Sequence, residues 1–148
     1  MHVIAHRLIS FAICFAVLAC GPTLVIPGGE LSGTREPAPS DWTWTDDVST
    51  IQLETRPEDP YSVNIWVVAK GDTLYVHAGK NRSALVENME ADPAVRVRVG
   101  ERIFELTASR VEDQAEFDAF ADGYEKKYST RPRNENVDEA YLFRLAPR

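Results

Sequence analysis

A small, mostly antiparallel β-barrel with two helices is the fold this sequence predicts, an α+β arrangement in which strands dominate, and three observations predict it. Hydrophobicity alternates with period two through most of the chain beyond residue 42. Turn signals at Lys70-Gly71-Asp72 and Gly100-Glu101 join successive alternating segments into hairpins. Two stretches alone switch to helical spacing. The chain has 148 residues, 44% of them hydrophobic, which is enough for one core and too little for a two-domain enzyme.

The elements follow in order. Val48 to Glu54 alternates weakly and is bounded by Arg56-Pro57, which predicts a first strand. Tyr61 to Ala69 sets Tyr61, Val63, Ile65, Val67 and Ala69 on one face, with Ser62, Asn64, Trp66 and Val68 on the other. It returns through the Lys70-Gly71-Asp72 turn as Thr73 to Ala78. Arg82 to Ala91 carries Leu85, Val86 and Met89 at helical spacing and stops at Asp92-Pro93, a short helix. Ala94 to Val99 and Arg102 to Val111 form a second hairpin. Asp113-Gln-Ala-Glu116 reads as a capping box that opens a helix running to about Tyr128, with Phe117, Phe120, Ala121, Tyr124 and Tyr128 as its stripe. Ala140 to Leu145 closes the barrel, giving six strands.

Ahead of this body lie two segments of different character. Residues 1–19 join a short basic region to a twelve-residue apolar run, Leu8 to Ala19, which suits a signal peptide and is too short for a bilayer core of about 30 Å. Val17-Leu18-Ala19-Cys20 resembles a bacterial lipobox, which implies cleavage before Cys20 and lipidation of that cysteine. An ordinary secretory signal or an uncleaved anchor are the other readings of the same run. The lipobox reading implies an exported protein held at the membrane by its lipid alone, on the periplasmic side, with the outer membrane as destination in a diderm bacterium. Residues 20–41 are rich in Pro, Gly and small polar residues and read as a flexible stalk, leaving 42–148 as the barrel domain.

The formal net charge of -7 argues against nucleic acid, whose binding rests on a basic surface. Both cysteines, Cys14 and Cys20, lie in the leader region, and the body has a single histidine, His77, so no metal site is expected. The informative stretch is Tyr75 to Met89. A strand ends, Gly79 permits a tight path, and Lys80, Asn81, Arg82 and Ser83 arrive where a helix begins. Free N–H groups at a helix start, beside lysine and arginine, have the layout of a phosphate site; a solvated turn carrying basic residues is the other reading. Arg96 and Arg98 read as surface charges. Trp42 and Trp44 read as packing the first strand against the barrel, and the cations from Lys126 to Arg131 as stabilising a helix C-terminus.

Thr55-Arg56, the hairpin Val63-Asn-Ile-Trp66 to Leu74-Tyr-Val-His-Ala-Gly79, the run Leu85-Val-Glu-Asn-Met-Glu-Ala-Asp-Pro-Ala-Val-Arg-Val-Arg-Val-Gly100, and the closing Leu142-Phe-Arg-Leu carry a resemblance over about residues 48–145. They resemble the flavin- and deazaflavin-binding split β-barrels, the superfamily of pyridoxamine-phosphate oxidases and deazaflavin-dependent nitroreductases. The resemblance implies a split barrel, often a homodimer, with FMN or a deazaflavin as small-molecule partner in a groove beside the barrel. It assigns Lys80, Asn81, Arg82 and Ser83 to the cofactor phosphate, with Arg56, Asn64 and Trp66 nearer the ring system. It implies an oxidoreductase acting on a small organic acceptor. The alternative is a non-catalytic envelope binding module that kept the barrel and lost the cofactor, a reading favoured by the acidic, proline-framed stretch Arg56 to Pro60. No catalytic residue follows from the sequence, although Tyr61, Tyr75 and His77 are possible proton donors if they face the groove.

Overall fold

The computed structural model describes residues 28–148, so the leader and Cys20 lie outside the described residues. One sheet of eight strands dominates, with β2 (Thr50–Thr55), β3 (Tyr61–Trp66), β4 (Val68–Lys70), β5 (Thr73–His77), β6 (Ala94–Val99), β7 (Arg102–Arg110) and β8 (Leu142–Pro147) in the order β3-β2-β6-β7-β8-β5-β4. Every neighbouring pair along that path is antiparallel. The two ends of the path, β3 and β4, are consecutive in the chain. The sheet therefore curls into a split barrel. Its inner face is the core, where Ile51, Leu53, Leu74, Val76, Val97, Leu106 and Leu145 are buried together.

The expected six strands become eight for two reasons. The long strand predicted from Tyr61 to Ala69 breaks at Val67, because the Tyr128 hydroxyl takes that residue out of the ladder. It accepts from the Val67 N–H at 2.9 Å and lies 2.8 Å from the carbonyls of both Val67 and Ser49. Lys127 Nζ donates to the carbonyls of Val67 and Thr45 at 2.8 and 2.9 Å. The end of a helix thus seals the seam of the barrel, and Lys127 acts by bonding carbonyls outside α2 rather than through the helix-terminus electrostatics expected of those cations.

The other added strand, β1 (Thr34–Arg35), pairs in parallel with the start of β7. It belongs to the stretch expected as part of the flexible stalk over 20–41. From Gly28 onward that stretch is instead seated on the outer face of the sheet. Gly28 exchanges backbone hydrogen bonds with Ser62, Thr34 N–H donates to Glu101 and Leu31 is buried. Gly33 is required here, since a Cβ would come within 2.5 Å of the Glu101 carbonyl. Charge explains why a Pro- and Gly-rich segment orders: it brings Glu30 and the Leu31 N–H to charged groups on the sheet. Glu54, 1% exposed, accepts from Leu31 N at 2.6 Å and from Arg96 Nε at 2.6 Å, and Arg96 also meets Glu30 at 3.3 Å. Arg96 is accordingly not the surface charge its alternation suggested. Its side chain is 11% exposed and it neutralises a buried carboxylate. Arg98 donates to the Ser32 carbonyl at 3.0 Å, at an exposed position.

Helix α1 (Ala84–Ala91) closes one mouth of the barrel with Leu85, Val86 and Met89. Helix α2 (Gln114–Tyr128) covers the outer face of β4, β5 and β8 through Phe117, Phe120 and Ala121, making a second cluster with Val68, Tyr75 and Leu142. Asp113 caps α2 by accepting from Glu116 N at 2.7 Å. The return half of the predicted capping box does not form. The Glu116 carboxylate instead accepts from Tyr75 at 2.9 Å and pairs with Arg144 at 3.0 Å, fixing the helix start to the sheet.

Candidate functional site

The loop from β5 to α1 carries Lys80, Asn81, Arg82 and Ser83, all exposed. Antiparallel pairing of β5 with β8 delivers the chain to this corner. The link continues past the strands, where Ala78 N–H donates to the Tyr141 carbonyl at 2.8 Å and Tyr141 N–H to that of Gly79 at 2.7 Å. Gly79 then turns at φ 81°, a left-handed conformation that suits glycine. Ser83 holds the N-cap position in an extended conformation, yet its side chain makes no capping bond. The first N–H groups of a helix have no partner within it, so α1 opens with donors unclaimed by its cap. Lys80 makes no ion pair among the described residues. This donor set, two cations beside an uncapped helix start, fits an oxyanion such as a phosphate.

Arg82 is engaged along the helix rather than pointed away from it. Its Nη2 lies 2.7 Å from Glu90 and its Nε 3.7 Å from Glu87. Beyond Glu90 stands Arg110, at the end of β7, with its guanidinium 4.1 Å from the Tyr141 ring. Arg110, Tyr141 and Glu90 join this corner without having been singled out in the sequence. Register alone brings them there. The visible signal was a cation closing a long strand, opposite Phe143 in the β7–β8 ladder.

The three residues expected near a ring system are spread along the β2–β3 hairpin. Arg56 leaves β2 at φ 55°, pairs with Asp59 at 3.0 Å and lies 5.8 Å from the Tyr61 ring. Asn64 is exposed in mid-strand, opposite Gln52. Trp66 sits at the other end, opposite Thr50, stacked on Tyr128 at 4.4 Å with 11° between the planes. Trp66 lies opposite Thr50, six residue steps from Arg56 and about 20 Å along the strand, so the two do not converge. The physical reason is the same seam: Trp66 is drawn onto the end of α2.

The proton-donor candidates divide similarly. Tyr75 donates to Glu116 beneath α2, where burial and that carboxylate push its pKa up to about 12. His77 lies 6.2 and 6.0 Å from the rings of Phe117 and Phe120, with Nε2 buried and without a hydrogen-bond partner among the described residues; burial lowers its pKa. Both residues belong to the α2 interface. Two open depressions, of about 520 and 380 Å³, flank the N-terminal segment, and neither is lined by a residue expected in the site.

A family model described as F420H(2)-dependent quinone reductase matches residues 57–139. The chain belongs to this family. The matched region contains Asn64, Trp66, Lys80 to Ser83, Glu90 and Arg110, and it leaves out Arg56 and the seated segment before β2. Membership in the quinone reductase family makes this a deazaflavin-dependent oxidoreductase by class. No curated protein matches the chain. Among solved structures, the chain is similar to a Bacteroides thetaiotaomicron protein named for 5-nitroimidazole antibiotic resistance, at TM-score 0.58 and 14% identity over 71% of this chain and 76% of that one. It is also similar to a Listeria innocua protein named for pyridoxamine 5'-phosphate oxidase, at TM-score 0.57 and 17% identity over 71% and 88%. A chain described as a domain-swapped dimer matches at TM-score 0.55 and 15% identity over 66% and 80%. At these identities the structures establish the split-barrel fold of the quinone reductase family member, and no more.

Proposed function

We propose that this member of the quinone reductase family binds a deazaflavin through Lys80, Asn81, Arg82 and Ser83 and reduces a small organic acceptor of the quinone class. The observation that carries the reading is the uncapped start of α1 with two cations beside it, inside the region matched by the family model. A bound deazaflavin supplies the hydride; the protein supplies position and electrostatics. Lys80 and Arg82 neutralise the phosphate, the α1 N–H groups donate to its oxygens, and Asn81 and Ser83 add uncharged donors. Asn64, exposed on β3, borders the ring system. Arg56 serves the same end only after leaving Asp59. That pair favours the second reading, a barrel that binds a ligand without redox chemistry.

Titrating the purified protein with F420 and following cofactor fluorescence tests this directly. Micromolar binding is expected, and Lys80→Ala combined with Arg82→Ala weakens it roughly a hundredfold, the loss of two charge-assisted contacts. Failure of F420 and FMN alike to bind leaves the non-catalytic binding module.

Two further readings belong to the proposal. Lipidation at Cys20 and export to the outer membrane rest on the lipobox-like Val17 to Cys20; Cys20→Ser is expected to abolish lipid labelling and release soluble protein, and continued membrane association would instead mean an uncleaved anchor. Homodimerisation draws support from the dimeric structural neighbour.

A further inference from the structure

Arg82, one of the two cations assigned to the phosphate, is already shared with a carboxylate. Its Nη2 lies 2.7 Å from Glu90 Oε2 and its Nε 3.7 Å from Glu87, which leaves Nη1 without a partner among the described residues. The first contact is a hydrogen-bonded ion pair and the second is too long to be one. Glu90 is in turn braced. Arg110 Nη1 stands 3.7 Å from Glu90 Oε1, and Arg110 is itself fixed by an Nη2 bond to the Ala140 carbonyl at 2.8 Å and by the Tyr141 ring at 4.1 Å. Two guanidinium groups therefore keep that carboxylate in place. At this corner Lys80, Arg82 and Arg110 stand against Glu87 and Glu90, which leaves one net positive charge.

We propose that Glu90, acting through Arg82, sets the charge of the phosphate that the start of α1 accepts, favouring a singly charged phosphodiester over a dianionic phosphomonoester. The proposal deepens the cofactor reading and rests on its assignment of one phosphate to Lys80 through Ser83. Attraction to fixed positive charge grows in proportion to the charge of the ligand, whereas the cost of stripping water from the ligand grows with the square of that charge. A corner with one net positive charge therefore matches one negative charge, and a second goes uncompensated. Lys80 supplies the unshared charge, while Arg82 supplies its free Nη1 donor and has much of its charge absorbed by Glu90. F420 carries its phosphorus as a phosphodiester, and FMN carries its own as a phosphomonoester. The site thus sorts ligands by how the phosphate is esterified, independently of the ring.

Two matched probes test this: the deazaflavin core of F420 as its 5'-monophosphate, and the methyl ester of that phosphate. Both are titrated by ring fluorescence at about pH 8 and low salt, where the monoester is dianionic and screening is weak. Wild type is expected to bind the methyl ester at least as tightly as the monoester. Glu90→Gln frees Arg82 at constant shape and is expected to tighten the monoester roughly tenfold and the methyl ester about threefold, since the released charge acts twice on a dianion. Glu87→Gln separates release of Arg82 from removal of any nearby carboxylate. Glu87 stands closer to the helix start along the chain but lacks the hydrogen bond, so the smaller gain is expected there. A wild-type preference for the monoester, equal gains for both probes on Glu90→Gln, or a larger gain from Glu87→Gln overturns the proposal. Binding of both probes without discrimination by Glu90 removes this proposal alone, whereas failure of both probes to bind any variant removes the cofactor reading and this proposal with it.

Discussion

Replacing Trp42 by alanine lowers the stability of the barrel by about 4 kcal/mol, as deletion of a fully buried tryptophan does. Trp42 is 0% exposed and packs edge-on against Phe104 at 4.8 Å. Its Nε1 donates to the Asp72 carbonyl at 3.1 Å and its backbone N–H to Gly71 at 2.8 Å. One side chain thus ties the segment before β2 to the β4–β5 turn. Its loss leaves a cavity and removes the indole partner of a carbonyl together. Trp44→Ala is the control: that ring is partly exposed and stacks beneath Arg102 at 4.0 Å, so about 1 kcal/mol is expected. Urea unfolding separates the two, and equal losses would show that Trp42 is not the anchor described.

Arg96→Met is expected to cost about 3 kcal/mol, because it strands the Glu54 carboxylate in the interior. The surviving acceptor bond, from Leu31 N–H, cannot compensate a buried charge. The same variant loosens residues 28–36, which become sensitive to protease, while F420 affinity is unchanged. Adding Glu54→Leu recovers most of the loss, since an apolar pair needs no counter-charge. A variant as stable as wild type would mean that Glu54 finds its compensation elsewhere. Weakened F420 binding would place Arg96 in the cofactor site.

Both residues mark where the sequence was legible and where it was not. Local alternation reports which side of a strand faces the core, and Val63, Val95, Val97 and Leu106 are buried as their spacing requires. Alternation also assigned Arg96 to the outward face, correctly, but it cannot say what else covers that face. The cover is a segment whose composition reads as a stalk and whose order depends on charges 23 and 66 residues away, Glu54 and Arg96. The split of the long strand at Val67 was hidden for the same reason, since its cause is a hydroxyl 61 residues distant. In the candidate site, Lys80 to Ser83 were visible because loop, glycine and helix start are contiguous. Arg110 and Glu90 were not, being neighbours only through the β7–β8 register and the packing of α1.

The seated segment also alters how far the protein can reach. With Cys20 acylated as proposed, the chain is seated on the sheet from Gly28 onward, eight peptide units beyond the lipid, instead of from Asp41. Eight peptide units span at most about 29 Å. A stalk running to residue 41 would span up to about 75 Å. The shorter anchor would confine the barrel to a thin layer above the lipid, where an acceptor dissolved in the bilayer would be presented at high effective concentration and one free in the surrounding solution would not.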